Sequence, residues 1–128
     1  MLDAANDYAY FGTNSTPGKV VRVRLSDFTQ DGLLSLAPGE DYLHTAVIDA
    51  PAGYAYFGTQ TYPGKVVKVR LSDFTRVEGL ILQPGEFLLI GSVLDAVHGY
   101  AYFGTNTNPG IVVRVGLWPT IFMPLTRR

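Results

Sequence analysis

Short apolar stretches with β-strand character follow one another along the chain. In residues 19–25 aliphatic side chains alternate with basic ones, which is the period of two that a strand with two unlike faces requires. Aromatic and aliphatic stretches predict further strands over 8–12, 33–36 and 43–48. Because no segment has a sustained helical period, the pattern predicts an all-β protein.

The pattern recurs as an internal repeat. The segment Tyr-Ala-Tyr-Phe-Gly-Thr begins at Tyr8, Tyr54 and Tyr100, with a spacing of 46 residues. Residues 3–48 align with 49–94 without a gap, and more than half of the positions are identical. We therefore expect three copies of one structural unit (repeats 3–48, 49–94 and 95–117, with a divergent tail 118–128) within a single domain, 1–128.

Turn residues separate the four strands of each copy. Pro-Gly pairs stand at 17–18 and 38–39 and recur one repeat later, and Ala52-Gly53 marks a third turn. Four short strands in a repeat of this length indicate a four-stranded antiparallel blade of a β-propeller. A parallel β-helix has shorter coils and fewer hairpin turns, and a β-sandwich does not require near-identical repeats.

The repeat also resembles a known group. Asp-x-x-x-Gly-Tyr-Ala-Tyr-Phe-Gly-Thr followed by Pro-Gly-Lys-Val-Val-Lys-Val-Arg-Leu-Ser-Asp-Phe, found at 49–74, is similar to the YVTN/NHL/lactonase-type propeller repeats, and the resemblance extends to Leu117. It implies that 43–48 is the strand nearest the central channel and 33–36 the outermost. Since such repeats occur in surface proteins, scaffolds and some enzymes, it implies a fold but no particular function.

The number of blades predicts a partner. Closed propellers have four to eight blades, so about three blades per chain leave a ring incomplete. Either the chain is a fragment of a longer propeller, or chains associate, and two copies would give a six-bladed homodimer. We expect the latter. The third copy departs from the repeat at Trp118, and its tail is predicted to form a degenerate last strand or to cover an exposed edge.

Composition narrows the classes of function. The chain has 47% hydrophobic residues, 10 basic and 11 acidic residues and no cysteine. The low, balanced charge argues against a nucleic acid or an anionic membrane as partner, and disulfides and thiolate metal sites are excluded. The sequence lacks a signal-peptide pattern and an apolar run near the roughly 20 residues that span a bilayer. The compartment stays open.

Candidate catalytic residues are lacking. The sequence contains no Gly-x-Ser-x-Gly, phosphate-binding glycine loop or His-Glu-x-x-His motif. His44 and His98 occupy different repeat positions and indicate no metal site, while Asp27 and Asp73 are typical turn residues. We therefore expect a non-enzymatic protein without a cofactor. A metal-dependent lactonase or hydrolase with inward-facing acids remains the alternative.

A candidate binding surface comes from positions that vary while the blade positions repeat. By propeller geometry, the loops between the second and third strands share one edge with the connections between blades and with the start of the innermost strand. This set could hydrogen-bond a protein or a carbohydrate, whereas the alternative is solvated turns that differ by drift. The residues concerned are Asn14, Thr16, Gln60, Tyr62, Asn106, Asn108, Glu40, Glu86 and His44.

Overall fold

The computed structural model describes residues 1–117 and, for the backbone alone, 123–127. Within them, twelve strands form three antiparallel sheets of four strands each, in sequential order. Each sheet is hereafter called a blade. The first blade contains β1 (Leu2–Asp3), β2 (Tyr8–Gly12), β3 (Lys19–Arg24) and β4 (Thr29–Ser35), with a short 3-10 helix at Ala4–Asn6. The second contains β5 (Leu43–Asp49), β6 (Tyr54–Thr59), β7 (Lys65–Arg70) and β8 (Thr75–Ile81).

The third blade contains β9 (Leu89–Asp95), β10 (Tyr100–Thr105), β11 (Val112–Gly116) and β12 (Met123–Arg127). The backbone of β12 pairs antiparallel with β11, so part of the divergent tail forms the fourth strand of this blade. The departure from the repeat, residues 118–122, lies outside the described part of the chain. Each blade thus takes its first strand from the end of one repeat and the other three from the next.

The outermost strand begins earlier than its apolar pattern indicates. The sequence predicts it at 33–36, whereas β4 spans Thr29–Ser35 and Leu36 is buried just after it. The prediction of its bounds was wrong because the strand opens with polar residues. Asp31 accepts hydrogen bonds from Arg22 at 2.7 Å and Arg24 at 3.0 Å, which hold the start of β4 against β3 without apolar side chains.

The turn between the first two strands of each blade has one backbone requirement. Asp7, Gly53 and Gly99 occupy the same repeat position and have φ values of 67°, 86° and 77°. This is the left-handed region, which glycine adopts freely and aspartate tolerates better than most residues. The substitution at position 7 therefore preserves the turn.

The core lies between adjacent blades. One apolar cluster joins the first blade to the second, and a second cluster joins the second blade to the third. We call the blade surface that carries Phe11, Phe57 or Phe103 the leading face. The opposite surface, which carries Tyr10, Tyr56 or Tyr102, is the trailing face. In both interfaces the trailing face of one blade packs against the leading face of the next.

Candidate functional site: the upper loops and the end faces

Two kinds of connection meet at one edge of the blades, here called the upper edge. They are the loops between the second and third strands, which we call the hairpin loops, and the segments that link consecutive blades. The amide of Gln60 donates to the carbonyl of Tyr42 at 2.8 Å, and the amide of Asn106 donates to the carbonyl of Leu88 at 2.8 Å. Each linking segment is therefore fixed to the hairpin loop of the following blade.

A hydroxyl framework holds each hairpin loop. The hydroxyls of Thr59 and Thr61 lie 2.7 Å apart, Thr61 donates to the carbonyl of Pro63 at 2.7 Å, and the amide of Lys65 donates to Thr59 at 2.9 Å. The first and third loops repeat this arrangement with Thr13 and Ser15, and with Thr105 and Thr107. Each loop also contains a cis peptide bond before its proline. The loops share one geometry although their sequences vary.

The predicted binding positions alternate with this framework. Asn14, Thr16, Asn106 and Asn108 are exposed, and Gln60 is half-buried. Tyr62 is 71% exposed, with its ring centroid 4.6 Å from that of Phe87 in the next linking segment. The variable side chains are therefore presented on loops whose backbones are fixed.

His44 lies at the same edge. It is exposed, and its Nε2 atom lies 3.0 Å from Oδ1 of Asn14. Residues from the first hairpin loop and from the start of β5 are thus in direct contact, as expected from their order in the blades.

Glu40 and Glu86 lie on the linking segments, but their carboxylates are buried. Glu40 accepts from the amide of Ala37 at 2.8 Å and from Arg76 Nε and Nη2 at 2.8 and 2.5 Å. The hydrogen bonds that Arg76 donates to Glu40 raise the pKa of Arg76. Glu86 accepts from the amide of Gln83 at 2.9 Å. Both carboxylates hold the linking segments in place, and Glu40 also ties the first blade to the second.

The turn aspartates at the opposite, lower edge make local bonds. Asp73 accepts from the hydroxyl of Thr75 at 2.7 Å and from Arg70 at 3.0 Å, and these bonds, that of Thr75 foremost, lower the pKa of Asp73. Asp27 has the same partners one repeat earlier, Thr29 and Arg24. These contacts are those of a structural turn.

A cleft of about 340 Å³ opens at the lower edge between the first two blades, where Asp3, Tyr10 and Arg22 line it together with Leu71. Burial raises the pKa of the Tyr10 hydroxyl. In the described part of the chain no three His, Cys, Asp or Glu side chains are grouped so as to hold a metal ion. Within the same residues, no helix is long and apolar enough to cross a membrane.

The two outer faces of the molecule differ from the inner ones in exposure. On the leading face, Phe11 of the first blade is 52% exposed, whereas Phe57 and Phe103 are 1% and 0% exposed. On the trailing face, Val112 of the third blade is 45% exposed, whereas Val66 of the second is fully buried. The chain therefore has one uncovered leading face and one uncovered trailing face, and these are the halves of an interface that it makes twice internally.

Comparison with known proteins identifies the fold. No family model matches the chain, and no curated protein matches it. Solved structures do match. The Kuenenia stuttgartiensis hydrazine synthase gives a TM-score of 0.79 at 8% identity over 94% of this chain. The WD40 repeats of RRP9 give 0.78 at 5% identity over 99%. The Cps50 (Swd1) β-propeller domain of Myceliophteria thermophila gives 0.71 at 14% identity over 98%.

These likenesses show the fold alone. The chain is a partial β-propeller of three four-stranded blades, as the repeat predicts. It covers 32%, 36% and 36% of those three matched chains, respectively, and thus spans about a third of their length.

Proposed function

We propose that this protein is a non-enzymatic binding and scaffold module that completes a six-bladed ring with a second copy and presents its upper edge to a protein or carbohydrate. The observation that carries the proposal is the pair of uncovered faces. Phe11 and Leu33 on one, and Val93 and Val112 on the other, are large apolar side chains left exposed at the ends of the molecule. Apolar surface of this kind favours association.

A second copy fits these faces because the chain already contains their partners. The uncovered trailing face of the third blade corresponds to surfaces that pack against Phe57 and Phe103 inside the chain. Two copies related by a two-fold axis would form this contact twice and supply six blades, within the range of closed propellers. The competing occupant is a further blade of a longer chain, which would leave the present residues monomeric when studied alone.

The upper edge is suited to hydrogen bonding. Amide and hydroxyl side chains stand at the variable hairpin-loop positions, and Tyr62 adds an exposed ring that can stack on a sugar or a peptide side chain. Because the hydroxyl framework fixes the backbone, little ordering entropy is lost when a ligand binds. In this proposal Glu40 and Glu86 support the loops, whereas Asn14, Gln60, Tyr62 and His44 make contact with the ligand.

The repeat type is part of the same proposal. The motif at 49–74 supports the YVTN/NHL/lactonase type, which contains scaffolds as well as enzymes. Elemental analysis of the purified protein tests the non-enzymatic part, since a stoichiometric divalent ion would contradict it.

Binding is tested by screening the wild-type protein on peptide and glycan arrays and titrating any hit with variants. Replacing Gln60 and Tyr62 together by alanine should reduce affinity at least tenfold, since one good contact is worth about 1.4 kcal/mol. Glu78→Ala, an exposed change on β8 away from the upper edge, is the matched control. Equal affinity of the double variant and the control would refute the upper-edge site.

A further inference from the structure

Every blade carries a cation stacked on a tyrosine of its trailing face. The distance from the cationic group to the ring centroid is 4.5 Å, 4.3 Å and 4.4 Å in the three blades. The pairs are Arg22 on Tyr8, Lys68 on Tyr54 and Arg114 on Tyr100. The position is therefore cationic in all three copies, but the cation differs.

In the first interface an aromatic side chain of the next blade covers this cation. The guanidinium carbon of Arg22 lies 4.8 Å from the ring centroid of Phe74, so that it is held between two rings. Phe74 also lies 5.8 Å from Tyr10. Gly32 makes room for the ring, since a Cβ atom there would lie 2.9 Å from Phe74. A planar guanidinium can stack flat against ring faces on both of its sides.

Arginine returns at Arg114 on the uncovered trailing face of the third blade. The repeat position of Phe74 is occupied in the first blade by Phe28, the residue directly before β4.

Phe28 already has the conformation that such a contact needs. Its φ is 54°, and that of Phe74 is 52°. This backbone conformation is uncommon for a bulky residue. Yet Phe28 is 85% exposed, whereas Phe74 is partly buried in the interface. The two turns are alike except that one has a neighbouring blade to pack against.

The uncovered third blade has the matching geometry. The ring centroids of Tyr100 and Tyr102 are 6.3 Å apart at 59°, and those of Tyr8 and Tyr10 in the covered first blade are 6.2 Å apart at 57°. Together with the arginine stacking distances above, this shows that Arg114, Tyr100 and Tyr102 repeat the arrangement of Arg22, Tyr8 and Tyr10. The likeness is limited to these three residues, because Thr126 is paired opposite Arg114 where Gly32 is paired opposite Arg22.

We propose that Phe28 of one copy packs on Arg114 and Tyr102 of a second copy, and that the second copy returns the same contact, so that two arginine–phenylalanine contacts close the ring. The inference rests on the proposed function in that it takes a second copy as the partner. It adds the residues that make the contact between the third blade of one copy and the first blade of the other.

The test compares dimer dissociation constants of the wild type, Phe28→Ala and Arg114→Ala by sedimentation equilibrium. Because each contact forms twice and is worth roughly a factor of ten, either change should weaken the dimer roughly a hundredfold. Ile81→Ala, an exposed aliphatic change on the middle blade, should leave the constant unchanged. Circular dichroism and urea unfolding verify that each variant is folded. If Arg114→Ala does not fold, Arg114→Lys is used in its place.

A mixture of the two variants gives a sharper result. In the heterodimer of Phe28→Ala with Arg114→Ala, the native Phe28 of one chain meets the native Arg114 of the other, so one contact stays intact. Both substitutions fall in the other contact. Each variant dimer alone loses both contacts. The heterodimer should therefore be roughly tenfold tighter than either variant dimer. No gain on mixing, or a dimer unaffected by Phe28→Ala, would overturn the inference while leaving ring closure intact. A wild type that remains at 14.0 kDa would instead overturn the proposed function itself.

Discussion

Phe11 and Phe57 occupy the same position of the same blade in two regions that differ in what lies against them. Phe57 is 1% exposed between the first and second blades, and Phe11 is 52% exposed at the end of the molecule. Their local sequences and strands are the same, so the difference in burial comes entirely from the neighbouring blade. A blade of this repeat provides half of two interfaces and completes neither alone.

The largest expected effect separates these two positions. Phe57→Ala removes a fully buried ring and should lower the free energy of unfolding by about 3–5 kcal/mol. Phe11→Ala should lower it by less than about 1 kcal/mol when the chain is dissociated, because half of that ring is already in water. Urea unfolding at low protein concentration measures both. Equal losses would mean that the uncovered face is not a missing interface.

A smaller effect distinguishes the two internal interfaces. The first is tied by Glu40 and Arg76. In the third blade the pairing position of Arg76 is occupied by Pro124, which cannot form an ion pair. A double-mutant cycle with Glu40→Gln and Arg76→Gln should give a coupling of about 1–2 kcal/mol, since a hydrogen-bonded charge is worth more than a neutral pair and Arg76 is about a third exposed. Glu78→Gln with Arg76→Gln is the control pair. A coupling energy no larger than that of the control pair would mean that Glu40 stabilises only its own linking segment and not the interface between the first two blades.

The hairpin loops offer a comparison between framework and surface. Thr59→Val leaves the partly buried amide of Lys65 without its acceptor and should cost about 1–2 kcal/mol of unfolding free energy. The adjacent Gln60→Ala should change it by less than about 0.5 kcal/mol. If thermal unfolding shows the two variants to be equally stable, the loops are not held by their hydroxyls.

The smallest effect depends on pH. The bond from Arg22 lowers the pKa of Asp31, so this carboxylate stabilises the fold above the ordinary carboxyl pKa of about 4 and loses that contribution as the pH falls through its lower folded value. Asp31→Asn should therefore narrow the stability gap to the wild type as the pH is lowered from 6 towards 3. The second blade has Val77 at this position, so a Val77→Ala variant should show no such narrowing.

The sequence predicts most of the fold because the same pattern of strands and turns occurs in three copies of the repeat. The strand order, the turns and the incomplete ring follow from spacing and turn residues. The start of β4 could not be predicted from its apolar pattern, since Asp31 is held to β3 by ion pairs with Arg22 and Arg24 and not by apolar packing. The alternation of apolar and polar residues that marks a strand is absent from a polar stretch of this kind.

The candidate site was predicted in part. The variable loop positions do lie at one edge, but the burial of Glu40 depends on Arg76, which is 36 residues away and has no counterpart in the first repeat. The hydroxyl framework could have been predicted from the sequence, because positions 15, 61 and 107 of the otherwise variable loops all carry a hydroxyl side chain, Ser, Thr and Thr. Whether the loops bind a ligand stays a prediction.

The mass of the wild-type protein in solution tests the central claim most directly. Sedimentation equilibrium over a wide concentration range should give twice the chain mass of 14.0 kDa, because two uncovered faces of complementary shape would then be buried. A single species of 14.0 kDa at every concentration would contradict the account, since the chain would then leave both end faces open to water.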